Sequence, residues 1–163
     1  VIMILRDARD ADWPAIEALT RRLADFPLPP GRTPGEIAVA DHPMLRAHLS
    51  SPADGVLFLV ATDGDAILGT VFANTRRDYF TQAPHAYVEV LAVDQEAAGR
   101  GMGRALMDAV EQWALQRGCA RVDLTVFAAN RRARGLYEHL GYHEELVRYV
   151  KRLGSPAGSA PAR

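Results

Sequence analysis

Short apolar runs bounded by glycine and proline alternate along the chain with stretches whose apolar positions recur every three or four residues. The two periods divide it into strands and helices. Residues 2–6 predict a strand, and Asp10 or Asp12 caps a helix carrying Ile16, Leu19 and Leu23 on one face. "FPLPPGRTPGE", residues 26–36, holds four prolines and two glycines and is excluded from regular structure. A short helix is expected at 42–49 and a buried strand at 56–61, "VLFLVA". The turn "TDGD" then leads into "AILGTVFANTR", a hairpin signal.

Residues 86–93, "AYVEVLAV", read as a central strand. A helix follows from 103 to 117 with Leu106, Val110 and Trp113 on one face and Gly118 at its end. "ARVDLTVFA" predicts another strand, "NRRARGLYEHLG" a helix between an Asn130 N-cap and Gly141, and "ELVRYVKRL", residues 145–153, a last strand. Strand–helix–strand units imply parallel pairing and the hairpin implies antiparallel pairing. The fold class is therefore mixed α/β, one sheet of six to seven strands flanked by four helices. Its 163 residues suit one domain, taken as 1–153, with a small-residue tail at 154–163 expected to be disordered.

Composition narrows the function. The formal net charge of −1 recommends neither nucleic acid nor an anionic membrane as partner, and no run of apolar residues is long enough for a membrane span. Eighteen of the nineteen basic residues are arginine, a bias that touches every region and so marks no site. The opening "VIMILRDARDADW" lacks the basic lead of a secretory signal, and Cys119 stands alone, so no internal disulfide or thiolate cluster can form. A cytoplasmic protein without a metal is the expectation. His139 and His143 are separated by the helix-ending Gly141, and Cys119 reads as a small buried hydrophobe.

"EAAGRGMGRALMDAV", residues 96–110, sets Gly99, Gly101 and Gly103 where a helix begins, although each costs about 1 kcal/mol relative to alanine inside a helix. Two readings fit. One is a tight strand-to-helix turn, for which a single glycine normally suffices. The other is a nest of backbone N–H groups at a helix N-terminus, an anion site for phosphate. Arg104 and Ala105 after the last glycine exclude a Walker loop, and the dinucleotide pattern would need glycine at 104.

"EVLAVDQEAAGRGMGRALMDAVEQWA" followed by "LTVFAANRRARGLYEHLGYHEE" closely resembles the two signature segments of the GNAT superfamily of N-acetyltransferases. The match is tight over residues 86–145; residues 1–85 fit in their order of elements. The resemblance implies acetyl-CoA as acetyl donor. The backbone amides of Gly99, Arg100, Gly101, Met102, Gly103 and Arg104 would hold its pyrophosphate, and the splayed strand end at Leu91, Ala92 and Val93 its pantetheine arm. Asn130 would contact that arm and Tyr137 would sit by the thiol. Such turns usually open with Arg or Gln three places before the middle glycine; that place is Ala98 here, which weakens binding without abolishing it. Read from spacing alone, Tyr137 is a core tyrosine on a face with Ala133, Leu136 and Leu140.

Acetyl transfer needs a neutral amine, and a lysine-like amine spends about 4–5 kcal/mol to become neutral at pH 7. Glu89 on the central strand is the candidate base, its other reading being a solvated carboxylate. Tyr137 is the candidate acid for the departing thiolate, with the Leu91 N–H facing the carbonyl oxygen. His85 either relays a proton or lies at the surface. Phe26, Arg32, Tyr79 and Phe80 are expected to line an acceptor pocket with Glu89, the acceptor being a small-molecule or peptide amine that could carry a carboxylate. The expected function is therefore an acetyl-CoA-dependent N-acetyltransferase acting through a ternary complex. Use of a longer acyl-CoA, or a non-catalytic acyl-CoA-binding module, stays open. A homodimer is compatible with the resemblance, and nothing in the sequence requires it.

Overall fold

The computed structural model describes residues 2–154. Five strands form one mixed sheet in sequential order: β1 (Met3–Asp7), β2 (Val56–Asp63), β3 (Ala66–Arg77), β4 (Pro84–Val93) and β5 (Val122–Leu124). The first four pair antiparallel, and β5 runs parallel to β4. The helices are α1 (Trp13–Thr20), α2 (Pro34–Val39), α3 (His42–Ser50), α4 (Met102–Gln116) and α5 (Arg131–His139). The tail expected at 154–163 lies outside the described residues from 155 onward.

Alternation in the strands feeds two cores, one on each face of the sheet. Leu59, Ala61, Val71, Ala73 and Val88 meet Leu106, Met107 and Val110 of α4. Phe58, Val60, Phe72 and Val90 meet Ile16 of α1 and Leu45 of α3. Leu106 and Leu45 are wholly buried, each adding on the order of 1.5–3 kcal/mol of hydrophobic stabilisation. Val88 and Val90 are two residues apart yet serve opposite faces, because the register of β4 shifts between its pairs with Ala73 and Phe72 and leaves Glu89 as the extra residue. That bulge turns Glu89 toward the face covered by α1 and α3.

Three sequence expectations are corrected. The proline-rich stretch contains α2: Pro34 stands in its first turn, where a missing N–H costs nothing, and Thr33 caps it by accepting from the Glu36 N–H. The strand after α4 is only Val122–Leu124, because beyond Leu124 the chain parts from β4 and, among the described residues, a side-chain bond alone, Tyr87 Oη to Thr125 Oγ1 at 2.6 Å, still joins them. Residues 145–153 form no strand among the described residues. The outer edge of β5 is free but only three residues long, too short to hold a further strand, and five strands stand where six to seven were expected.

Candidate functional site

β4 and β5 share three residue pairs, Ala86–Val122, Tyr87–Asp123 and Val88–Leu124, and then diverge. From Glu89 to Val93 the outer edge of β4 is thus open, exposing strand backbone inside a fold. Leu91 and Val93 pack on the α4 side, and Ala92 is buried on the other. Arg22, from the short turn after α1, reaches into the split. Its Nε lies 3.4 Å from the Val93 carbonyl oxygen, and its guanidinium also bonds Asp25.

The glycine turn stands at the mouth of this split. Gly99 and Gly101 have φ of +77° and +80°, the left-handed region that disfavours side chains, and an added Cβ at either would meet no atom within 4 Å. Gly103 is needed for another reason: a Cβ there would lie 3.1 Å from Leu136 Cδ2, so its bareness lets α4 approach α5. Among the described residues the amides of Gly99, Gly101, Met102, Gly103 and Arg104 make no backbone hydrogen bond, as expected where a helix leaves its first donors free. Arg100 differs, since its N–H donates to the Ala97 carbonyl and its guanidinium pairs with Asp63 at 2.9 Å. Free main-chain donors, open space and the positive end of α4 together fit a diphosphate.

α5 supplies the other wall. Asn130 caps it by accepting from the Ala133 N–H at 3.2 Å, which leaves its side-chain NH2 for other partners. Tyr137 packs against the α4-side core with its ring 6.0 Å from that of Tyr142. Burial pushes its hydroxyl up to about 12, so it stays protonated at every working pH. Tyr142 donates to Glu111 Oε1 at 2.8 Å; burial, then that bond, holds its proton more tightly still.

Across the sheet, Glu89 is held by side chains from β3. Asn74 Nδ2 donates to Glu89 Oε1 at 2.9 Å, and Arg76 bonds the same oxygen while lying 3.8 Å over the Tyr87 ring. The Glu89 side chain is only 14% exposed, so the solvated-carboxylate reading fails. Asp41, directly before α3, was not singled out from the sequence. It is half-buried, and its side chain makes no hydrogen bond among the described residues. Burial raises its pKa above the ordinary carboxylate value, and the charge of Glu89 adds to the rise. An acidic residue ahead of "HPML" reads locally as a helix cap; only tertiary packing brings it near Glu89.

The remaining candidates are scattered. Phe26 stacks on Phe127 at the split, with ring centroids 5.1 Å apart, while exposed Arg32 pairs with Glu36. Tyr79 and Phe80 are exposed in the β3–β4 turn and pack on each other. Glu89 is five strand positions beyond the start of β4, roughly 16 Å along it, so the two aromatics do not converge on the carboxylate. His85 is buried beside Asp123, with Nδ1 lacking a partner among the described residues, and is no surface histidine. Cys119 is buried beside Ala86 and Ala114.

The model of the acetyltransferase (GNAT) family matches residues 16–142. A mycothiol acetyltransferase of Beutenbergia cavernae is 42% identical over 88 residues, 53% of this chain and 28% of that protein; the match therefore spans little more than a quarter of the relative. Among solved structures, a Pyrococcus furiosus protein described as an acetyl transferase superposes with a TM-score of 0.73 at 25% identity, over 93% of this chain and all of the other. AAC(6')-Iy, in complex with the bisubstrate analogue CoA-S-monomethyl-acetylneamine, superposes with a TM-score of 0.69 at 22% identity, over 93% of this chain and 99% of its own. No helix among the described residues is long and apolar enough to cross a membrane.

Proposed function

The chain belongs to the GNAT family of acetyltransferases, and from that premise we propose that it moves an acetyl group from acetyl-CoA to a primary amine by direct attack in a ternary complex. The observation that carries this reading is the set of five free amides at the glycine turn, set at the mouth of the β4–β5 split. Gly99, Gly101, Met102, Gly103 and Arg104 bind the diphosphate, and the Arg104 guanidinium adds charge. The open edge of β4 at Leu91, Ala92 and Val93 bonds the pantetheine amides as a neighbouring strand would. Arg22 gives way at Val93, and the Asn130 NH2 is the remaining side-chain donor.

Two acidic residues mark the acceptor side. Glu89 and Asp41 draw a cationic amine to the α1/α3 face of the bulge, and this favours an acceptor with positive charge over one carrying a carboxylate. Glu89, through its free oxygen or an intervening water, takes the amine proton as nitrogen attacks the thioester carbon. The Leu91 N–H meets the charge that grows on the carbonyl oxygen. As the carbon–sulfur bond breaks, the Tyr137 hydroxyl gives its proton to sulfur. With the hydroxyl at about 12 and a free thiol near 8.5, full transfer is uphill by roughly 5 kcal/mol; the proton therefore moves with the breaking bond, not ahead of it. Tyr137 then recovers a proton from solvent.

A thiol-release assay with acetyl-CoA against a panel of mono- and polyamines tests the proposal. Turnover with cationic amines is expected, together with a rise in Tm on adding acetyl-CoA. Failure of the coenzyme to raise Tm defeats the reading; a Tm rise without turnover on any amine leaves only a binding module.

A further inference from the structure

Arg76 pairs with His85 in the β3–β4 ladder, yet its side chain leans along the sheet as far as Glu89. Three different groups receive its guanidinium. Nη2 donates to Glu89 Oε1, Nε donates to Asn74 Oδ1 at 3.2 Å, and Cζ lies 3.8 Å over the Tyr87 ring. A carboxylate, an amide oxygen and an aromatic face are the materials of a cation site. The parts of this one are held in place: Asn74 also donates to Glu89 Oε1 at 2.9 Å, and the Tyr87 hydroxyl bonds that of Thr125 at 2.6 Å. The occupant is freer than the site. The Arg76 side chain is 45% exposed where that of Glu89 is 14% exposed, so the guanidinium swings into water without displacing a core residue.

A carboxylate so enclosed is costly to leave unpaired, and the site therefore calls for a cation whether or not an acceptor is bound. We propose that Arg76 is a resident stand-in for the acceptor: its guanidinium fills the cation site of Glu89, Asn74 and Tyr87 until a cationic amine displaces it. The inference rests on the acetyl-transfer reading given above. Asp41 indicates which amine displaces it best. Its carboxylate feels the charge of Glu89 and makes no side-chain hydrogen bond among the described residues, so with Arg76 in place the two acids keep one uncompensated negative charge. A monocation that replaces Arg76 leaves that charge as it was, whereas a dication cancels it. Arg76 is also tethered to the sheet and returns at high effective concentration, which disfavours an amine bringing one charge and no further contact. The acceptor class is therefore a primary diamine, one end losing its proton at Glu89 and the other kept charged for Asp41.

Steady-state kinetics of the full chain at saturating acetyl-CoA, with 1,4-diaminobutane and n-butylamine as acceptors, test the displacement. The wild type is expected to favour the diamine by about threefold in KM, and Asp41→Asn to erase the preference. Once displaced, Arg76 leaves the loaded site as though it were absent. Arg76→Gln is therefore expected to lower KM for both amines by one common factor, about tenfold if the site stands open about a tenth of the time, the effect falling on KM and not on kcat. Arg76→Lys, which keeps a cation, stays near the wild type. Methylguanidinium is expected to compete with the amine in Arg76→Gln and about tenfold less well in the wild type. A KM that does not fall in Arg76→Gln, a fall in kcat alone, or equal inhibition of both proteins by methylguanidinium would overturn the proposal; a fall in kcat alone would make Arg76 a positioning residue for Glu89. Calorimetric titration of 1,4-diaminobutane, with CoA in place of acetyl-CoA, reads the same gain in affinity without turnover. Failure of acetyl transfer and failure of displacement thus remain separate results.

Discussion

β4 divides the site into halves built from different materials. Past its end, the glycine turn presents main-chain donors whose positions are set by two left-handed residues and by the start of α4. At its bulge, Glu89 is surrounded by side chains from separate elements: Asn74 and Arg76 on β3, and Asp41 ahead of α3. A main-chain site depends on local conformation and tolerates most side-chain changes around it. A side-chain site depends on packing between distant segments and can change its ligand by single substitutions. The first suits a constant co-substrate, the second a variable acceptor.

The largest effect that can break this division is expected at Glu89. Glu89→Gln keeps the shape and the Asn74 and Arg76 contacts but removes the proposed proton acceptor. Turnover is expected to fall by about 10²–10⁴-fold, with coenzyme affinity measured by calorimetry unchanged. A parallel loss of coenzyme binding would mean that the halves are not separable. Tyr137→Phe is expected to lower kcat by about a hundredfold, again with coenzyme affinity intact, since the ring still fills its place in the core. An unchanged kcat would return Tyr137 to a packing role.

The main-chain half is probed by Gly101→Ala. With φ at +80° the methyl costs about 1–2 kcal/mol of backbone strain, seen as a lower Tm, and it projects into the space before the free amides. Coenzyme affinity is expected to fall about tenfold, or about 1.4 kcal/mol, while the rate at saturating coenzyme barely moves. Loss of Tm without loss of affinity would leave the turn a purely structural device.

The same division explains what could be read from the chain. The glycine turn, α4 and the Asn130 and Gly141 ends of α5 were legible because caps, positive φ and helical period are local signals. The bulge at Glu89 was not, since a register shift is a property of two strands and leaves no mark in one. α2 was hidden because Pro34 breaks a helix in its interior but suits its first turn, and position within the helix cannot be known before its boundary. Arg22, which reaches from beyond α1 to the Val93 carbonyl, and Asp41 were invisible for a shared reason: their neighbours are about seventy and about fifty residues away along the chain. The strand expected at 145–153 does not form among the described residues, because β-propensity in one segment does not say whether a sheet edge lies within its reach.

The smallest expected effect is the most discriminating. Asp41 is pushed up by burial first and by Glu89 second, so in the folded chain it holds its proton after the unfolded chain has released one. Above the ordinary value of 3.8 the folded state therefore binds more protons, and stability declines as pH rises until the folded carboxyl has also ionised. At neutral pH its charge is a net cost to folding, and Asp41→Asn is expected to raise Tm there and to flatten the stability profile at acid pH. If that cost is kept because the charge draws a cationic amine, the same substitution raises KM for a polyamine by about threefold and leaves kcat and coenzyme affinity alone, an effect that salt diminishes. Higher Tm with weaker acceptor binding is the signature of a residue retained for function against stability. Higher Tm with unchanged KM would confine recognition of the amine to Glu89.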